Sequence, residues 1–377
     1  MNLNEYIQGN KAGIMETFDT LHAMPEIAMT EEKTGAYLDG QLKKAGYAVR
    51  RVAGTGVLGV LDSGAPGPVV AARADMDALL HEVDGVQAPV HSCGHDANCT
   101  AVLWAAKALS QAGAPKRGSL RILFQPAEEA LHGARECIKA GALDGAQYLV
   151  GTHLRPIEEL PMGKMSPAVL HGASGGLYVT IHGENAHGAR PHQGVNAIEA
   201  AVAVISAVSA LHLDPTIIHT AKPTQIKSVG NPFNMIPHKV ELTFDLRAQE
   251  NALMQRQIEA VCDRAVRAAQ SYGAKAECVW NGGAPAATRC DELIRIASDV
   301  IGEVMGAKGL GNVIVTSGGE DFHEYPLAIP GLKSTVLGVG AGLIPGLHKP
   351  EMRFNHDALI YSAQVMAALL ERLLLQD

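Results

Sequence analysis

No stretch of this chain approaches the roughly 20 uninterrupted apolar residues that a membrane span requires, although 47% of its residues are hydrophobic. The opening MNLNEYIQGNK lacks the basic-then-apolar order of a secretory signal, so none is expected. Cysteine is sparse. Six residues (Cys93, Cys99, Cys137, Cys262, Cys278 and Cys290) are dispersed over 377, which excludes a dense disulfide framework and makes free thiols the default. Basic blocks are missing too: a net charge of -8 and no Lys/Arg-rich run leave no footprint for nucleic acid. Internal repeats and low-complexity segments are also lacking. The expectation is a soluble, cytoplasmic protein with neither membrane nor nucleic acid as partner, and long enough for two domains.

Short, nearly continuous apolar runs are present instead. PVVAARAD, SLRILFQP, AQYLVGTH and, far downstream, STVLGVG read as strands covered on both faces, with helical patterns between them. That predicts an α/β fold with a mostly parallel sheet wrapped by helices. From about residue 170 to 282 the pattern changes to GGLYVTIHG, the helix VNAIEAAVAVISAVSAL, TQIKSVG, KVELTFDLRA, the helix NALMQRQIEAVCDRAVRAAQSYG, and AKAECVWNGG. Strand, helix, strand, strand, helix, strand is the ferredoxin-like α+β order. The expected division is therefore a first domain over 1–169, an inserted domain over 170–282 with NGGAPAA as the re-entry linker, and a return over 283–377.

In an open α/β sheet, ligands bind beyond the carboxyl ends of the strands. There, VVAARAD ends at Asp75 and its following loop brings Cys93 and His95; RILFQPAEE ends at Glu128 and Glu129; YLVGTH ends at His153; and STVLGVG leads through a glycine-rich loop to His348. Thiolate, imidazole and carboxylate on one rim are the donors that zinc and related divalent ions prefer. Each residue also has a plainer reading. A histidine after a strand can be a hydrogen-bonding filler, and Glu128 and Glu129 after Pro126 suit the first turn of a helix, where the dipole favours carboxylates. As chemistry, one glutamate would ligate a metal and its neighbour would move protons. Cys93 also admits a thiol nucleophile, but His95, two residues away, is badly placed to reach its sulfur, and a remote histidine would have to serve.

LHAMPEIAMTEEKT (from Leu21), RADMDAL (from Arg73), HSCGHD, QPAEEALHGA, GTHLRP, AHGARPHQG, NMIPHKVELTFDLR, SGGEDFHEY and LHKPEMRF resemble, in order and spacing, the motifs of the dinuclear metallo-amidohydrolases. That group includes hippurate hydrolases, N-acyl-amino-acid amidohydrolases and indole-acetyl-amino-acid hydrolases, within the aminoacylase and carboxypeptidase superfamily. The resemblance implies metal ligands at Cys93, His95, Glu129, His153 and His348, Glu128 as general base and acid, and Asp75 as a residue orienting a ligand. It further implies a catalytic His187 and substrate contacts from Asn234 and Arg247 in the inserted domain, which would serve as lid and homodimer interface. Two divalent ions, Mn²⁺ or Zn²⁺ with Co²⁺ or Ni²⁺ also admissible, would serve hydrolysis of the amide bond in small N-acyl amino acids. A dipeptidase or carboxypeptidase, a non-catalytic binder on the same fold, and a thiol hydrolase using Cys93 are the alternatives. SGGEDF, Ser317 to Phe322, reads equally as a turn that positions substrate and as a helix start. The chain departs from the pattern where relatives read CGHDGHTA and it has CGHDANCT, placing Asn98 and Cys99 at altered positions, and in the short loop before Cys93, which lacks the usual proline after DMDAL.

Overall fold

Apolar runs without room for a solvated face become the interior strands of a sheet. The structure, a computed structural model, describes residues 2–228 and 232–376, so Val229 and Gly230 at the end of the predicted strand TQIKSVG lie outside the described residues. The chain forms two units: a larger one of Met1–Leu170, Thr288–Val315 and Asp321–Asp377, and a smaller one of His171–Ala287 and Thr316–Glu320.

The larger unit begins with helices Leu3–Gly9, Lys11–His22 and Glu32–Lys44. Strands β1 (Ala48–Val52), β2 (Gly56–Asp62) and β3 (Val69–Asp75) follow, then the hairpin β4 (Leu79–Val83) and β5 (Val86–Val90). Asp84 and Gly85, both at positive φ, make its two-residue turn, as an Asp-Gly pair allows. Next come the helix His95–Gln111, β6 (Ser119–Gln125), β7 (Tyr148–Pro156) and β8 (Lys164–Ser166). The smaller unit contributes β9 (Ala173–His182), β10 (His219–Ser228), β11 (Lys239–Ala248) and β12 (Lys275–Ala284), and the chain returns to the larger unit for β13 (Lys333–Leu343).

The larger sheet has the order β1-β2-β6-β3-β7-β13-β8. Its four central neighbours β6, β3, β7 and β13 are parallel, and the flanking strands are antiparallel. Residues of β3 and β7 are buried almost throughout, which explains the Val, Leu and Ala at their starts. Helix His95–Gln111 is buried nearly all round, because the helices Lys11–His22 and Asp357–Leu374 pack against it as well as the sheet. A helix so enclosed cannot tilt freely, and its first residue is held to the rim.

The smaller unit has a four-stranded antiparallel sheet in the order β10-β11-β9-β12, the ferredoxin-like arrangement. Strand β11 alternates between buried and half-buried positions, and helices Ala197–Ser209 and Asn251–Ser271 cover its buried face through Val204, Val208, Val261 and Ala265. NGGAPAA is not wholly a linker: β12 continues through Asn281 to Ala284, since pairing with Ser174 and Gly175 extends the ladder that far. No helix among the described residues is long and apolar enough to cross a membrane.

Candidate metal centre

The carboxyl ends of the central parallel strands bring the candidate ligands together, all within the larger unit. Cys93 lies in the loop after β5, and His95 opens the helix that follows. Gly94 between them has φ +87, and a Cβ there would come within 2.8 Å of Leu154 Cδ1, so glycine permits the turn that aims both neighbours inward. His153 sits inside β7, which runs on to Pro156 rather than ending at the histidine. His348 adopts φ 60 in the loop after β13, where its amide donates to Ser92 O at 2.7 Å.

Glu128 and Glu129 do not open a helix. Ala127 at φ 55 and Leu131 at φ 50 turn the chain first, and the helix begins only at Gly133. A Cβ at Gly133 would meet Pro126 O at 1.6 Å, which keeps the turn this tight. Its effect is to point two successive carboxylates at the rim instead of fanning them around a helix.

Three overlapping triplets place one ligand atom from each residue within 4.8 Å of the others: Cys93, His95 and His153; Cys93, Glu129 and His348; His95, Glu128 and Glu129. Cys93 Sγ lies 3.5 Å from His153 Nε2 and 3.3 Å from His348 Nε2. Glu129 Oε1 lies 3.3 Å from His348 Nε2 and 3.8 Å from His95 Nε2, and Glu128 Oε2 is 3.9 Å from the latter atom. Two donors at roughly 2.0–2.3 Å from a shared tetrahedral cation stand about 3.5 Å apart, so these spacings fit a metal.

Tautomers point the same way. His95 Nδ1 faces Asp77 O at 2.9 Å and His153 Nδ1 faces Leu154 O at 2.7 Å. A carbonyl only accepts, so both rings carry their proton on Nδ1 and turn an Nε2 lone pair inward, the usual arrangement for ligating imidazoles. His95 Nε2 and Glu129 Oε1 are buried and have no hydrogen-bond partner among the described residues. A divalent cation satisfies both.

The field around the cluster also favours added positive charge. Burial opposes a charge on His95, but Asp75, Cys93 and Asp77 outweigh it and raise its pKa well above the usual imidazole range. Burial likewise opposes ionisation of Glu129, yet His348 and His95 hold its carboxyl below the usual value. Burial pushes the Cys93 thiol up to about 12, with Glu129 and Asp75 adding to the effect. A free nucleophile needs the opposite shift, whereas a cation beside the sulfur makes the thiolate the stable form. His153 is held at about 4, chiefly by burial, and so remains neutral.

Asp75 ends β3 fully buried, 3.7 Å from His95 Nε2. Burial works against its ionised form, but His95 and Arg73 hold its carboxyl at about 2. Arg73 Nη1 donates to its Oδ2 at 2.8 Å. The two altered positions meet here as well: Asn98 Nδ2 donates to Asp75 Oδ1 at 2.8 Å, and the Cys99 thiol donates to Asp75 O at 3.0 Å. The Nδ1 side of His95 is held by Asp77, which also accepts from Glu129 N at 3.0 Å. Sequence reasoning passed over Asp77, although it lies inside RADMDAL, two residues from Asp75 and on the same side of an extended chain.

The remaining predicted residues belong to the smaller unit. His187 pairs with Met235, and Gly188 N donates to Asn234 O at 2.7 Å, so His187 and Asn234 lie in one short ladder. His187 Nδ1 accepts from Ala189 N at 3.0 Å, which leaves the ring proton on Nε2. Arg247 is apart from them on β11, where Nε and Nη2 each donate to Asp245 at 2.9 Å and Nη1 donates to Ser317 O at 3.2 Å. Within SGGEDF, Ser317 supplies that carbonyl, and Asp321–His323 forms a single 3₁₀ turn.

The pattern of Peptidase family M20/M25/M40 matches residues 71–372. An N-acyl-L-amino acid amidohydrolase of Geobacillus stearothermophilus is 33% identical over 271 residues, which cover 68% of this chain and 72% of that protein. The IAA-amino acid hydrolase ILR1-like 2 of Arabidopsis thaliana is 31% identical over 369 residues, 93% of this chain and 82% of its own. Among solved structures, a dinuclear metal-binding peptidase of the M20 family from Bacillus subtilis superposes with a TM-score of 0.81 at 26% identity, covering 97% of this chain and 99% of the other.

Proposed function

The chain belongs to peptidase family M20/M25/M40 and is a metal-dependent amide hydrolase, and from that premise we propose that it cleaves small N-acyl amino acids or related conjugates with two divalent ions, Mn²⁺ or Zn²⁺. The observation that carries this reading is the set of overlapping triplets that share Cys93 and Glu129 and hold Glu128 at their margin. The names of its relatives supply the substrate class, and six free thiols suit the reducing conditions of the cytoplasm.

Cys93, His95, Glu129, His153 and His348 would hold the ions. When bound, they supply Lewis acidity to the scissile carbonyl and lower the pKa of water. Glu128 takes the proton of the attacking water on its carboxylate and returns it to the departing nitrogen. His187 presents an Nε2 proton suited to a developing oxyanion, and Asn234 shares its ladder. Arg247 offers a planar fork for a substrate carboxylate, which must compete with Asp245 for it.

The test is metal quantitation followed by a panel of N-acetyl, N-benzoyl and indole-acetyl amino acids together with dipeptides. Turnover of acylated amino acids above dipeptides is expected. The reverse order overturns the acyl-amino-acid reading in favour of a dipeptidase.

The same reading includes a homodimer formed through the smaller unit. Supporting it, edge strand β10 leaves Ile226 exposed, and helix Ala197–Ser209 exposes Ile198 and Val202. If His187 serves the partner's metals, inactive His187→Ala and inactive Glu128→Gln should complement each other after subunit exchange. Random mixing leaves about a quarter of the sites free of both defects, given a two-fold assembly. No recovery after demonstrated exchange overturns the shared site.

A further inference from the structure

LHAMPEIAMTEEKT lies outside the metal centre. It contributes no ligand, yet Glu31 within it is completely buried. Such a carboxylate is costly to bury unless both oxygens are satisfied. Glu31 Oε2 accepts from Thr55 Oγ1 at 2.6 Å, and Oε1 accepts from Ala127 N at 2.9 Å across 96 residues of sequence.

Ala127 is the residue at φ 55 that turns the chain before Glu128. A left-handed conformation is strained for an alanine and persists only where the surroundings hold it. The second amide beyond it, Glu129 N, is held by Asp77 Oδ2 at 3.0 Å. Glu128 is thus strung between two amides, each anchored to a carboxylate. The other end of the motif holds the residue after Asp77: Ala78 N donates to Glu26 O at 2.8 Å, and Ile27 bridges Ala78. Glu26 in turn accepts from Lys33 N and Thr34 N, which ties the start of helix Glu32–Lys44 to the segment before it.

We propose that Glu31 is a positioning residue for the metal centre, and that LHAMPEIAMTEEKT clamps the Asp77 and Glu128–Glu129 loops in register. This rests on the proposed dinuclear hydrolase reading. Glu31 touches no ligand atom and acts through the Ala127 amide. Loss of its carboxylate frees that amide, lets Ala127 relax, and moves Glu128 and Glu129 together.

Glu31→Leu, which keeps bulk but accepts no hydrogen bond, tests this against wild type and Glu31→Gln. Metal affinity is measured by competition with a chromophoric chelator using Zn²⁺ alone, beside kcat and KM for the folded fraction. Removal of groups that orient ligands weakens metal binding by about 10- to 100-fold, and that loss is expected for Glu31→Leu, with kcat falling more than KM rises. Glu31→Gln still offers Ala127 N an oxygen and should restore most of both. A purely structural role would lower the melting temperature while leaving Zn²⁺ affinity and kcat of the folded protein unchanged, and that result overturns the proposal. Should Glu31→Leu not fold, Thr55→Val releases the other oxygen of Glu31, and unchanged Zn²⁺ affinity there is equally fatal. Failure of wild type to bind Zn²⁺ stoichiometrically would instead remove the dinuclear reading on which the proposal stands.

Discussion

Glu128→Gln should retain its metal and lose turnover by roughly 10²-fold or more, because the amide keeps the size of the carboxylate but cannot cycle a proton. Its neighbour is the control. Glu129 Oε1 comes within 3.3 Å of His348 Nε2 and shares a triplet with Cys93, whereas Glu128 reaches the cluster beside His95. The two glutamates are nearly equidistant from His95 Nε2, at 3.8 and 3.9 Å, so that distance alone does not assign them. The triplet that Glu129 shares with Cys93 and His348 supports it as the proposed ligand and leaves Glu128 for the proposed proton transfer. Glu129→Gln should therefore lower metal content as well as activity. Metal analysis of the two purified variants, paired with their kcat values, checks the assignment. Near-normal kcat in Glu128→Gln removes that residue from proton transfer.

The α/β class and the ferredoxin-like insertion were legible because burial leaves a periodic trace. β3 and β7 open on apolar runs since both faces are covered, and β11 alternates since one face is. The candidate ligands were legible because strand order forces polar residues after apolar runs onto one rim. Hydrogen bonds between distant segments left no such trace. Glu31 and Ala127 are 96 residues apart, and nothing in either neighbourhood announces the other. Glu128 and Glu129 read as a helix start because Pro126 precedes them. The turn depends instead on left-handed Ala127 and on Gly133 lying where any side chain would strike Pro126 O. The Asp77 contact was hidden for a related reason, since half of it runs through a backbone carbonyl that carries no sequence signature.

Chelation should abolish activity, and Mn²⁺ or Zn²⁺ should restore it. The five proposed ligands come from four separate segments: the loop and helix start carrying Cys93 and His95, the turn after β6, the interior of β7, and the loop after β13. Bound ions would draw these segments together. Without ions, His95 Nε2 and Glu129 Oε1 have no hydrogen-bond partner among the described residues, and the Cys93 thiol, held at about 12 by burial, is an inert neutral group. Nucleophilic cysteine chemistry would survive chelation, and metal chemistry would not. Stability should follow the same linkage. An ion that binds the folded chain at about 1,000 times its dissociation constant stabilises it by about 4 kcal/mol, so the melting temperature should fall on stripping and recover with reloading. The measurement is activity and thermal unfolding on a sample verified metal-free by elemental analysis, then on the same sample titrated with each ion. Two equivalents for full recovery would match the proposed pair of ions. Full turnover in the verified metal-free sample would overturn the metal mechanism and return Cys93 to consideration as a nucleophile, with His348, 3.3 Å from its sulfur, as the base to examine first.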